Sequence, residues 1–169
     1  DTGSVNVTAR EQIDVDTTVG ALVVGAVGIG GSVSIVTIDS HLEGFVAADA
    51  TVRAGTTLNV IADLVRDDVH GLAFAGAAGL VGIGAQVVVV NDHSTQKAFI
   101  GADPEVLDLP AASATVHAAT AVNVVAHANR VLKAESIGRA VGAVAVGVSI
   151  ADVFADVRTE AALNHADVT

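Results

Sequence analysis

The sequence predicts an all-β chain, a β-solenoid of the right-handed parallel β-helix kind, built from three divergent repeats of about 50 residues. Three observations predict it. One eleven-residue string recurs along the chain, the apolar residues are almost all small or β-branched, and the two prolines lie together in one short stretch.

The string reads ATVRAGTTLNV at residues 50–60 and ATVHAATAVNV at residues 114–124. Joining the last four residues, ADVT, to the first seven, DTGSVNV, gives a third copy of the same length and apolar pattern. Counted from Val5, Leu58 and Val122, the intervals are 53, 64 and 52 residues, which together make up the 169 of the chain. A fixed period of this size is the signature of stacked repeats. The chain is therefore expected to be one domain, 1–169. Repeat 1 covers about 5–57, repeat 2 about 58–121, and repeat 3 about 122–169, continuing into 1–4 of a next copy.

Taken in order, the first segment alternates Val5, Val7, Ala9 and Ile13, Val15 with polar residues, the period-two pattern of a half-buried strand. The same alternation follows Leu58 and Val122. Asn6, Asn59 and Asn123 hold one position in each copy, which fits either an asparagine ladder or a recurring turn-proximal asparagine. Residues 19–38 and 71–90 are then uncharged runs rich in glycine and β-branched residues. Their length raises a membrane helix, but the composition and the lack of basic or interfacial aromatic flanks favour strands over a span. As strands they carry Val19, Ala21, Val23, Val27 and Ile29 on one face and Leu22, Val24, Ala26, Val36 and Ile38 on the other. Such strands need cover from a second layer of the chain or from a neighbour.

GIGGSVSIV at 28–36 matches GIGAQVVVV at 82–90 and, more loosely, AVAVGVSIA at 143–151; GFV at 44–46 matches AFI at 98–100. The longer middle repeat holds an insertion near 103–113 with Pro104 and Pro110. Proline cannot donate to a strand ladder, so this stretch is a loop. With parallel strands about 4.8 Å apart and two or three turns of the solenoid per repeat, the three repeats would span roughly 30–45 Å.

The motif VNVTARE at 5–11, followed by VGALVVGAVGIGGSVSIVTI, GFV and ATVRAG, resembles the repeats of very large bacterial leukotoxin-type and haemagglutinin-like filamentous adhesins. That resemblance implies a secreted or surface-tethered β-helical stalk holding adhesive regions away from the cell. The motif carries no catalytic or ligand residue.

Composition restricts the remaining functions. Nineteen acidic against eight basic residues give a net charge of −11, with no basic cluster to track phosphates, so no nucleic-acid partner is expected. The lack of cysteine excludes disulfides and thiolate metal sites. His41 and His93 lie in similar turns, with Asp152, Val153 and Phe154 at the third copy, and lack the paired ligands of a metal site. Asp14 with Asp16, and Asp67 with Asp68, match no calcium loop and read as solvated faces. The sequon at Asn6 is a short chance match. No nucleophile elbow or dinucleotide loop is present. No catalytic, cofactor-binding or metal residue is therefore assigned, and no enzyme is expected.

The expected role is a rigid structural segment of a filamentous adhesin, extracellular or on the bacterial surface. It would associate with copies of itself by end-to-end stacking or lateral packing of apolar strands, with any host glycan or protein ligand bound through other regions. A self-assembling extracellular filament is the alternative. A glycan-binding or glycan-cleaving β-helix is a weaker one, since clustered carboxylates and aromatic platforms are lacking.

Overall fold

The computed structural model describes residues 3–106 and 113–169. Asp1, Thr2 and the middle of the insertion, Pro110 included, lie outside them. The described residues form twelve strands and no helix. The first repeat supplies β1 (Val5–Val24), β2 (Val27–Ile38), β3 (His41–Ala47) and β4 (Thr51–Ala54). The second supplies β5 (Thr57–Ala78), β6 (Val81–Asp92), β7 (Thr95–Gly101) and β8 (Ala114–Ala118). The third supplies β9 (Ala121–Val141), β10 (Val144–Ala155), β11 (Arg158–Asn164) and β12 (Ala166–Val168).

These strands make four three-stranded sheets, ordered β1-β5-β9, β10-β6-β2, β11-β7-β3 and β12-β8-β4. Every pairing is parallel. The chain thus visits the four sheets in the same order three times, and the second repeat is always the central strand. Each repeat contributes one strand per sheet, hence a single layer. Three layers separated by about 4.8 Å stand only ~10 Å apart from first to last, which replaces the expected 30–45 Å. The physical reason is strand length: strands of 20, 12, 7 and 4 residues use up the unit in one circuit.

The register pairs Val5 with Leu58 and Leu58 with Val122. Between the two possibilities for the recurring asparagine, the ladder is what forms. Asn59 Nδ2 donates to Asn6 Oδ1 at 2.6 Å, and Asn123 Nδ2 to Asn59 Oδ1 at 2.8 Å. Phe45 and Phe99, opposite each other in β3 and β7, stack with centroids 5.0 Å apart. The looser third match needs correcting by two residues, because Gly28 and Gly82 align with Ala145 rather than Ala143. A slip of two leaves every side chain on its face, so alternation alone is blind to it.

The uncharged runs are not single strands. Each breaks at a glycine, Gly25 or Gly79, as the third copy does at Gly142, where the chain turns from the long sheet into the second sheet. The three turns stack, with Gly25 N donating to Ala78 O, Gly79 N to Val141 O and Leu80 N to Ala26 O. A Cβ at Gly79 would run into the Gly25 carbonyl oxygen, so the stacking itself demands glycine. The break also redistributes the predicted faces. Ala21 and Val23 point between the sheets with Val36 and Ile38, whereas Leu22, Val24, Val27 and Ile29 point outward.

Two apolar clusters fill the interior, mostly from the central layer. Leu58, Val60, Ile100, Ala114 and Val116 pack where the long sheet faces the third and fourth sheets. Val69, Ala73, Val88 and Val90 pack where it faces the second. Burying each of these valine, leucine and isoleucine side chains contributes ~1.5–3 kcal/mol, so the central layer supplies most of the cohesion. Asp49 and His165, with φ of 62° and 58°, turn the corners into β4 and β12. In the second repeat the chain instead leaves at Gly101, φ 96°, into the insertion, where Pro104 occupies a turn closed by Val106 N donating to Asp103 O at 3.1 Å.

Candidate functional site

Polar chemistry gathers in two places, one inside the stack and one outside it. Inside, a belt of polar groups separates the two apolar clusters. Its origin is a bulge in β5, which carries one more residue between Leu64 and Asp67 than either neighbour does. That extra residue turns Asp67 inward, so it is fully buried while Asp68 stays on the outer face. This corrects the reading of Asp67 and Asp68 as one solvated pair, which counted alternation through the bulge.

Asp67 meets the buried Asp92 from the end of β6 and Arg130 from β9. Arg130 Nε lies 3.2 Å from Asp92 Oδ2 and 3.8 Å from Asp67 Oδ2, and its Nη2 donates to the buried Gln96. The Ser94 backbone N–H donates to Asp92 Oδ1 at 3.0 Å. In the layer below, the Ser40 hydroxyl donates to Glu11. Burial, then the negative charge of Asp92, raise the Asp67 carboxyl to about 6, with Arg130 opposing. One guanidinium faces two carboxylates, so one charge remains uncompensated when both ionise.

A carboxyl raised in the folded state binds a proton that the unfolded chain has already lost. Its stabilisation is therefore complete below about pH 4 and disappears as pH rises through about 6. Asp67→Asn removes that penalty. The variant is expected to gain ~1–2 kcal/mol at pH 7.5, a melting shift of about 2–6 °C, and nothing at pH 4. Thermal melts at the two pH values check this, and equal gains at both would contradict it.

Outside, the third sheet carries Glu43, Lys97 and Glu160 opposite one another on β3, β7 and β11. The insertion folds back over the central one, leaving Lys97 3% exposed. Its Nζ lies 2.8 Å from Glu43 Oε1, 3.1 Å from both Asp103 oxygens and 3.0 Å from Glu105 Oε2. Burial works against the ammonium, but hydrogen bonds to Glu43, Glu105 and Asp103 outweigh it and raise its pKa. The Lys97 hydrogen bond in turn holds the Glu105 carboxyl below its ordinary range. Arg158 Nη1 donates to Glu105 at 2.6 Å from the third layer. Beside this cluster the Phe45–Phe99 stack, Ala47, Ala102 and Val106 line an open cleft of ≈ 380 Å³. The cluster clamps the base of the insertion onto the sheet.

The residues singled out in the sequence fall elsewhere. His41 opens β3 at the surface, 3.3 Å from Asp39, and its register partner is Thr95, so His41 and His93 are not stacked. The third-layer equivalent of His41 is Arg158, not the Asp152 stretch. Asp14 and Asp16 stand on the outer face of the long sheet, 3.5 Å from Arg66 and 3.7 Å from His70, within rows of cross-layer polar contacts. His70 also reaches Glu135 at 3.1 Å, and Arg10, Asp63 and His127 form a similar row. Among the described residues, no group of three or more histidines and carboxylates is arranged to hold a metal ion, and no helix is long and apolar enough to cross a membrane.

The buried lysine and carboxylates escaped the sequence reading. Lys97 had one signal, its place six residues before Asp103 in the copy that carries the insertion. Asp67 had another, the odd spacing of Leu64, Asp67 and Val69 within an alternating strand. No protein-family model, curated protein or solved structure matches the chain.

Proposed function

We propose that the chain is a right-handed parallel β-solenoid and serves as a rigid stalk segment of a secreted or surface-attached filamentous adhesin, without catalytic activity of its own. The observation that carries the reading is the continuous register: all twelve strands lie in parallel three-layer ladders, one layer per repeat. A unit that closes its core only by stacking on the next is stabilised by repetition and extends along one axis. The right hand follows from the usual hand of crossovers between parallel strands of one sheet. The side chains add length-wise reinforcement through the asparagine ladder and the cross-layer ion pairs, and the Lys97 ammonium is enclosed by its carboxylate partners.

Self-assembly of separate copies end to end is the second reading, favoured by the unpaired backbone edges of β1–β4 and β9–β12. One contact weighs against it. Identical copies in register would set Glu160 of one layer directly against Glu43 of the next, without the Lys97 that separates them within the chain. Divergent repeats in one long chain avoid that contact.

Small-angle scattering on two tandem copies, with Glu160→Gln in the first to remove that contact, compared with one, tests the proposal. A stalk segment lengthens along a single axis by ~14 Å, three layers of about 4.8 Å, at unchanged cross-section. Two bodies joined flexibly, with no common axis, would refute it.

A further inference from the structure

The outward face of the second sheet is apolar, while its inward face starts on glycine in β2 and β6, at Gly28, Gly30, Gly82 and Gly84, and reaches the core valines Val36, Val88 and Val90 only toward the other end. Facing out are rows such as Ile29, Ile83, Val146 and Val33, Val87, Ile150, one residue from each layer. Ile83 decides whether this exposure is an effect of the open ends. It belongs to the central strand, flanked on both sides, and is still 39% exposed. The exposure is therefore that of a face with nothing on it.

The orientation cannot be relieved from within. A Cβ on Gly28 would stand 3.1 Å from the Ala78 carbonyl oxygen, one on Gly30 3.0 Å from that of Gly76, and one on Gly82 3.1 Å from that of Val141. At these glycines the long sheet approaches too closely for side chains between the sheets, and a one-residue slip would drive Val27, Ile29, Val81 and Ile83 into that gap. At this end of the sheet the bulky residues therefore face outward.

We propose that this face pairs with the same face of a second copy of the chain, about a two-fold axis near Val87. Three features select that occupant. The first is area: twelve residues at about 3.3 Å by three strands at about 4.8 Å give ~550 Å² per copy and ~1,100 Å² in all, enough for a specific interface. The second is charge. The chain carries −11, yet the face has a single ionisable side chain, Asp152 on an edge strand, so it is where two such chains approach with least repulsion. The third is shape, since flat rows of β-branched side chains mesh face to face at ~10 Å and a two-fold pairing is self-complementary. A lipid surface is disfavoured by the same charge and by the absence of Trp, Tyr or basic residues around the rows. The pairing is lateral and independent of the stalk reading, which concerns the strand edges.

The chain has no cysteine, so Val87→Cys introduces a single thiol at the centre of the face. Treated with a short bis-maleimide at about 20 µM, it is expected to give covalent dimers at least ~10-fold faster than Asp16→Cys on the outer face of the long sheet. Sedimentation should show a dimer for the unmodified chain and a monomer for Ile83→Lys/Val87→Lys. Both substitutions lie on a solvent-facing surface of the single chain, and an unchanged circular dichroism spectrum verifies the fold. A chain monomeric at 100 µM, equal cross-linking at the two thiols, or a dimer that survives the double substitution would overturn the proposal. Binding to neutral phosphatidylcholine vesicles without dimerisation would overturn it in favour of lipid. Growth of the double variant into longer rods would overturn the pairing in favour of the strand edges, the end-to-end assembly of the second reading.

Discussion

Replacing Gly101 by valine is expected to prevent the chain from folding at 37 °C. Two independent costs fall on this residue. Its φ of 96° is a conformation that a β-branched residue adopts only at a price of several kcal/mol, and a Cβ there would overlap the backbone carbonyls of Asn164 and His165 in the layer above. Backbone held by a neighbouring strand cannot swing aside as a flexible side chain would. Together these exceed ~4 kcal/mol, a large part of the stability of a domain this size. Loss of the far-UV β signal and of soluble yield would register the effect. Gly3→Val serves as the control, because its added Cβ meets nothing within 4 Å.

Lys97→Met carries the second large effect. Methionine keeps the length of the side chain but removes the charge on which Glu43, Asp103 and Glu105 converge. Breaking a buried ion pair from one side leaves the partners uncompensated and costs ~3–5 kcal/mol; the partial exposure of these carboxylates reduces the expected loss to ~2–4 kcal/mol at pH 7. Glu105 has a pKa lowered by the lysine, so its favourable term is present above the ordinary carboxylate pKa and fades as pH falls through the lowered one. The deficit of the variant should accordingly shrink between pH 7 and pH 3. Denaturant titrations at both pH values measure it, and a deficit that grew on acidification would contradict the assignment. A second readout is local: proteolysis within the insertion should accelerate in Lys97→Met before the strands are cut.

The ladders were legible because repetition and alternation are properties of the sequence itself. Val5, Leu58 and Val122 before an asparagine, and GFV against AFI, align without knowledge of the structure, and they are register partners. The turns at Gly25, Gly79 and Gly142 were harder to see. A bend between two apolar strands has no polar residues to announce it, and glycine is so frequent in these runs that only its recurrence at one place marks the turn. Face assignments failed for the same reason, since they were counted straight through the bend. The buried polar groups were hidden by events that alternation cannot register: one surplus residue in β5 turned Asp67 inward, and the insertion that follows β7 folded back over Lys97.

The asparagine ladder has a direction. Each amide nitrogen reaches toward the first layer and each amide oxygen is offered toward the third, so the row ends in a donor at Asn6 and an acceptor at Asn123. Linked amides polarise one another in the same sense, which makes the row a small vector along the axis. A further layer added at either end meets the complementary group only if its chain runs the same way. Inverted addition would bring donor against donor or acceptor against acceptor. The amides therefore act as a polarity mark: whatever continues this stack, they admit head-to-tail continuation and penalise reversal.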